Sequence, residues 1–232
     1  MSNMETASAI KIEKLDIRNL LKDPVSCLTH AFACVAAVFA LPLLLIHAAD
    51  HGIDKAGLIS LTVFMLSMVL LYGASAVYHA VRLGGEAGLV FKRIDHMMIF
   101  VLIAGSYTPL CICALGAYGQ VLLAIVWAIG IAGMIFKLFW VTCPKWLSSV
   151  MYISMGWIVA FALPSFIPAV STACFAWLLA GGIIYTVGGI IYALKLVKFN
   201  SRNSLWGSHE VFHVFVMAGS LCHFMSMYEL CM

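Results

Sequence analysis

Along this chain, apolar and polar positions fall into long blocks. Seven mainly apolar stretches, roughly 26–49, 57–81, 94–115, 119–140, 147–165, 170–195 and 208–229, approach or exceed the about 20 residues a helix needs to cross a bilayer. The interruptions are short and polar or rich in glycine: DHGIDK at 50–55, RLGGEAGLVFKR at 82–93, LGAYG at 115–119, TCPKW at 142–146, PSFIP at 164–168 and KFNSRNS at 198–204. None is long enough to separate two domains, and no internal repeat is visible. The pattern predicts an all-α integral membrane protein, a seven-helix transmembrane bundle over residues 26–229 preceded by an N-terminal segment, 1–25.

Composition agrees. Hydrophobic residues make up 64% of the 232 positions and charged residues only 10%, with a mean hydropathy of +1.05. A water-soluble fold could not hide that much apolar surface, so the bilayer acts as solvent. Met1 to Lys22 is polar and of mixed charge, without the apolar core of a cleavable signal peptide. Within it, Ile10, Leu15, Ile17, Leu20 and Leu21 stand among charges, which reads either as an amphipathic helix on the membrane surface or as a tail.

The net charge of +3 says little, but its placement sets an orientation. With a cytoplasmic N-terminus, twelve of the thirteen Lys and Arg residues, Lys137 and Lys145 among them, fall on the inner side, and only Lys55 falls outside. The expectation is N-terminus in, C-terminus out, in the plasma (inner) membrane, with membrane lipid as partner and no nucleic acid. A retinal pump is excluded because 208–229 holds no lysine for a Schiff base. A G-protein-coupled receptor is excluded because its N-terminus lies outside. The eight cysteines include no CxxC pair and read as small packing residues.

Ionisable groups inside membrane spans are costly and mark function. His79 closes span two, one turn after Ser75. Asp95 opens span three, His209 and His213 open span seven, and His30 lies near the start of span one. All share one depth, at the cytoplasmic side, although they are remote in sequence. His209 and His213, four apart, lie on one helix face about 6 Å from each other, the grip zinc takes from a helix. His79 could add a third imidazole, leaving the fourth tetrahedral position for a water whose pKa zinc lowers to about 7. Asp95 would accept a proton or orient that water, and Ser75 would hydrogen-bond it or a substrate oxygen. The alternative reading of each histidine alone is a cap or a snorkelling side chain.

His223, about 15 Å further along the helix than His213, cannot share that metal and reads as a satisfied interhelical histidine. His47 and His51 fall at the outer edge, and His96 points about 100° away from Asp95. His209 to His213 also spells HExxH, the zinc-protease motif, but here it opens a membrane span, and Glu210 is expected to face water.

Taken together these residues resemble the hemolysin III family, the bacterial branch of the progestin and adipoQ (adiponectin) receptor superfamily. The resemblance rests on Thr29-His30; on Ser75 to His79; on Asp95-His96 with Ile103 to Pro109; and on His209 to His213 with Ala218-Gly219 and His223. It implies seven helices with a cytoplasmic N-terminus, zinc on His79, His209 and His213, and roles for Ser75 and Asp95. Asp23 and Ser26 stand where the family often shows Glu and Asn.

Two functions follow. Relatives such as the alkaline ceramidases imply a zinc-dependent hydrolase of a lipid or lipid-like amide. The hemolysin name implies membrane lysis by pore formation, or a sensor with structural zinc. The ligand-binding portions of the eukaryotic receptors are absent, so hormone binding is not implied.

Overall fold

A computed structural model of the protein describes residues 20–194 and 206–232. Among these, seven helices are long and apolar enough to cross a membrane, and no residue is in a strand. We label them α1 (Pro24–Asp50), α2 (Lys55–Ala80), α3 (Gly85–Ala114), α4 (Gly116–Phe139), α5 (Lys145–Gly156, continuing irregularly to Ala169), α6 (Thr172–Leu194) and α7 (Ser208–Leu230). Most of the amphipathic segment at 10–22 lies outside the described residues, as do Lys195, Lys198, Arg202 and the break at 198–204.

Local chemistry explains most boundaries. Pro24 opens α1, where its missing N–H costs nothing. The Asp54 side chain accepts from Gly57 N at 2.8 Å and caps α2. The turns before α3 and α4 need a left-handed backbone, supplied by Gly85 (φ 59°) and Gly116 (φ 53°).

Two elements differ from the sequence reading. The polar stretch at 82–93 is mostly helix, not loop: after the Gly84–Gly85 turn its residues are ordinary helix formers. At thirty residues α3 is about 45 Å long, well beyond an about 30 Å hydrocarbon layer, so the polarity of its first turns does not mark a helix end.

The fifth span is not one helix. After Gly156 it passes through 3₁₀ turns (Trp157–Ala162 and Ile167–Ala169) around a single α turn, Leu163–Phe166. Pro164 and Pro168 remove two backbone donors there. The Tyr107 hydroxyl repairs part of the gap: it donates to the carbonyls of Met155 (3.1 Å) and Gly156 (2.7 Å) and accepts from Val159 N (2.8 Å).

The helices pack in chain order around a ring, α1 on α2 through to α6 on α7, and α7 closes back onto α1 while also touching α3. Glycines set the closest approaches. A Cβ on Gly188 of α6 would fall 2.7 Å from Phe215 Cβ on α7, and one on Gly219 of α7 would fall 2.8 Å from the Tyr185 ring. The interior holds Phe64, Tyr72, Phe100 and Phe166, all essentially buried. The outer surface exposes Phe39 (69%), Phe139 (81%) and Phe161 (81%), as lipid contact demands. Lys137, counted above among the charges that orient the chain, is instead fully buried.

Gly188→Ala is expected to destabilise the protein by about 1–3 kcal/mol through overpacking, read as a lowered unfolding temperature in detergent. Gly182→Ala, whose added methyl would meet nothing within 4 Å, should leave that temperature unchanged or slightly raised.

Candidate functional site

Ring closure sets the last turn of α2 against the first turns of α7. His79 on α2 therefore meets His209 and His213, with ring centroids 5.0 Å (His79–His209), 5.0 Å (His79–His213) and 4.6 Å (His209–His213) apart. Each offers one nitrogen such that all three lie within 4.8 Å of one another. The Nε2 atoms of His79 and His209 are 3.3 Å apart. Two ligands on a tetrahedral ion at about 2.05 Å stand about 3.4 Å from each other, so this spacing suits a shared zinc. His209 and His213 each keep a buried Nδ1 with no hydrogen-bond partner among the described residues. In His209 that atom is not the nitrogen that faces His79; what fits the metal is the donor set of three imidazoles.

The orientation of His79 comes from a residue the sequence reading left without a role. Asp23 and His79 bond twice: Asp23 N donates to the His79 carbonyl at 2.9 Å, and His79 Nδ1 lies 2.9 Å from Asp23 Oδ2. A carboxylate only accepts, so Nδ1 carries the proton and Nε2 turns its lone pair toward the other histidines. The bond from His79 lowers the Asp23 carboxyl from its ordinary value, against the opposing effect of partial burial. An Asp before a proline at a helix start reads as a cap, yet Asp23 makes no side-chain cap bond to α1. That ordinary signal concealed its use.

Ser26 and Glu210 also acquire roles. Ser26 Oγ donates to Glu210 Oε1 at 3.0 Å, tying α1 to α7, and Gly207 N donates to Glu210 Oε2 at 2.8 Å. Glu210 therefore caps its own helix and joins α7 to α1, instead of facing water as the sequence suggested. Each oxygen already accepts one hydrogen bond, which ties the carboxylate to the helix start. His30 is buried and stacks on His213, with centroids 3.7 Å apart and planes 15° from parallel.

Asp95 and Ser75 lie in the same part of the bundle. Both are buried and both line the cavity described next. His96 does not turn away as helix geometry suggested: its Nδ1 lies 2.9 Å from Asp95 Oδ2.

A cavity of about 140 Å³ opens onto Asp95, Ser75, His209 and His213, and extends between α3, α5, α6 and α7 to His223. The ten residues from His213 to His223 span about 15 Å. Between these ends the walls are largely apolar, among them Leu102, Ile103, Phe212 and Val216. A second void of about 70 Å³ shares its His223 end and runs on past Leu110, Leu163 and Leu178.

His223 is not the satisfied histidine expected from the sequence. Its ring lies 5.2 Å from that of Tyr185, and neither nitrogen finds a hydrogen-bond partner among the described residues. His47 and His51 sit at the opposite end of the bundle, His51 exposed and His47 half-buried and stacked on Tyr228 at 3.7 Å. All eight cysteines are free.

Fold and site define a seven-helix membrane protein with a buried histidine cluster at the junction of its second and last helices. A family profile described as "Haemolysin-III related" matches residues 18–224, and the chain belongs to that family, within the superfamily that includes the adiponectin receptors. Hemolysin-3 of Bacillus cereus is 36% identical over 200 residues, covering 86% of this chain and 87% of the relative. The adiponectin receptor protein of Drosophila melanogaster is 26% identical over 223 residues, covering 88% of this chain and 49% of the relative. Monocyte to macrophage differentiation factor of Homo sapiens is 25% identical over 212 residues, covering 88% and 82%.

Glu210→Ala is expected to loosen the start of α7 and to cost about 1 kcal/mol, the usual worth of a helix cap, again read from thermal unfolding in detergent. An unchanged unfolding temperature would count against the capping role.

Proposed function

We propose that the protein is a zinc-dependent hydrolase of a lipid or lipid-like amide. The observation that carries this reading is the convergence of nitrogens from His79, His209 and His213 within 4.8 Å of one another, beside a largely apolar cavity that also exposes a carboxylate. These three residues would hold the zinc, which when bound supplies a Lewis acid and a water whose pKa falls to about 7.

The chain's own groups then have distinct tasks. Asp23 fixes the tautomer of His79 and keeps its Nε2 turned inward. Asp95 is the buried carboxylate of the cavity, able to take up a proton and return it to the departing amine. Ser75 lines the cavity with Asp95, where its hydroxyl would orient the water or a substrate oxygen. The apolar length of the cavity accepts an acyl chain and excludes water from the reacting end.

Protein purified in detergent should contain one zinc per chain by metal analysis, and His79→Ala, His209→Ala and His213→Ala should each lose it. Asp23→Ala should weaken zinc binding by about 10–100-fold, as removal of such outer partners does. Asp95→Asn should keep the metal while lipid-amide turnover falls by about 10²–10⁴-fold. Stoichiometric zinc without turnover of any lipid amide by the wild-type protein would overturn the hydrolase reading.

The name of the Bacillus cereus relative favours a second reading, membrane lysis. Solute leakage from liposomes that survives both chelation and Asp95→Asn would support it over hydrolysis.

The basic residues support placing the chain in the plasma membrane with a cytoplasmic N-terminus. A reporter fused after Met232 should then be active only if it works outside the cytoplasm, and cytoplasmic activity would reverse the orientation.

A further inference from the structure

Lys137, in the last turn of α4, has no part in the site above, and it is fully buried. Its Nζ donates to Ser148 Oγ at 2.6 Å and to Cys143 Sγ at 3.0 Å, and that sulfur lies 3.4 Å from the same hydroxyl. Among the described residues no carboxylate lies within ion-pair distance of this nitrogen. The rings of Phe136 and Tyr152, 5.8 Å away, can contribute only a weak cation–π attraction.

An ammonium removed from water either gives up its proton or needs an opposite charge beside it. Ser148 is a poor source of one, whereas a thiol supplies it by releasing its proton. None of the other seven cysteines has a lysine or arginine as a hydrogen-bond partner among the described residues.

We propose that Lys137 and Cys143 form a buried ammonium–thiolate pair, and that Cys143 is the residue at which hydrogen peroxide modifies this protein. The sulfur lone pair attacks one peroxide oxygen, a sulfur–oxygen bond forms and the oxygen–oxygen bond breaks. The departing hydroxide takes a proton from Lys137 Nζ and leaves as water. Sulfur loses two electrons to the peroxide and becomes a sulfenic acid, and the lysine becomes a neutral amine. Both buried charges are discharged in the one step, and the ammonium favours it by stabilising the leaving hydroxide.

Cys143 lies in the short connection between α4 and α5 and is 7% exposed, so only a reagent as small as peroxide is proposed to reach it. The modified sulfur would press on the first turn of α5, where the neighbouring Ser149 lines the main cavity.

The test uses the full-length protein in detergent. After brief exposure to dilute hydrogen peroxide, peptide mass spectrometry should place a one-oxygen gain on Cys143 ahead of the exposed Cys113. In Lys137→Met the rate of that gain should fall by about tenfold or more, as expected when thiolate stabilisation is lost. Oxidation of Cys113 first, or a Cys143 rate indifferent to Lys137→Met in folded protein, would overturn the proposal.

Should Lys137→Met fail to fold, the infrared S–H stretch decides. A thiolate has no S–H bond, so Cys143→Ser should leave the band of the reduced protein unchanged. Loss of one-eighth of its intensity, the share of one of eight cysteines, would show a neutral thiol and sink the pair.

Discussion

The double bond between Asp23 and His79 is the contact on which the geometry of the site turns. One half is backbone to backbone and the other side chain to side chain, so the two residues fix each other in position and in rotation. The polar stretch before α1 is thereby tied to the end of α2. A histidine held only by its backbone could turn its ring toward lipid headgroups or toward α7. Held by a carboxylate as well, it presents the same nitrogen to the interior whatever the neighbouring loops do. Lys22, with its ammonium 3.6 Å from the centre of the Tyr78 ring, braces the same segment from the other side.

The bilayer imposes the rest. No water is available within the hydrocarbon, so each polar group must find a partner inside the protein or lie near an end of the bundle. The hydroxyls of Tyr72, Tyr185 and Ser220 satisfy one another in the middle of the bundle, with Tyr72 to Ser220 at 2.6 Å and Tyr185 to Ser220 at 2.7 Å. Tyr107 serves the backbone that two prolines leave short of donors. Among the described residues, most buried side-chain nitrogens without a hydrogen-bond partner line the cavity, on His30, His96, His209, His213 and His223; Arg93 Nε is the exception. Such a distribution is costly in an otherwise satisfied interior, and it separates the surface built for a ligand from the surface built for the fold.

The seven spans were legible because bilayer thickness fixes a length that block hydropathy reveals directly. His79, Ser75, Asp95, His209 and His213 were legible because ionisable groups are rare enough in spans for their shared depth to stand out. Asp23 was not, since an acid before a proline has a commoner use as a cap. His96 was misread because rotation about an ideal helix ignores side-chain reach: an imidazole next to a carboxylate can bend back to meet it. Lys137 was taken as a surface charge because topology rules count basic residues by side of the membrane, without regard to which way they point. The irregular fifth span showed its prolines in plain sight, but the hydroxyl that repairs it comes from α3, and pairings between remote segments leave no trace in local pattern.

The ring of helices is closed by its first and last members, and the histidine cluster straddles that seam. During synthesis the second helix enters the membrane long before the seventh exists, so His79 waits with one side of its pocket missing. The three imidazoles can come together only after the final helix has been inserted and has docked against the first. A chain ending between α6 and α7 would keep six of the seven spans but only His79 of the three imidazoles, so the place they enclose is completed at the end of assembly.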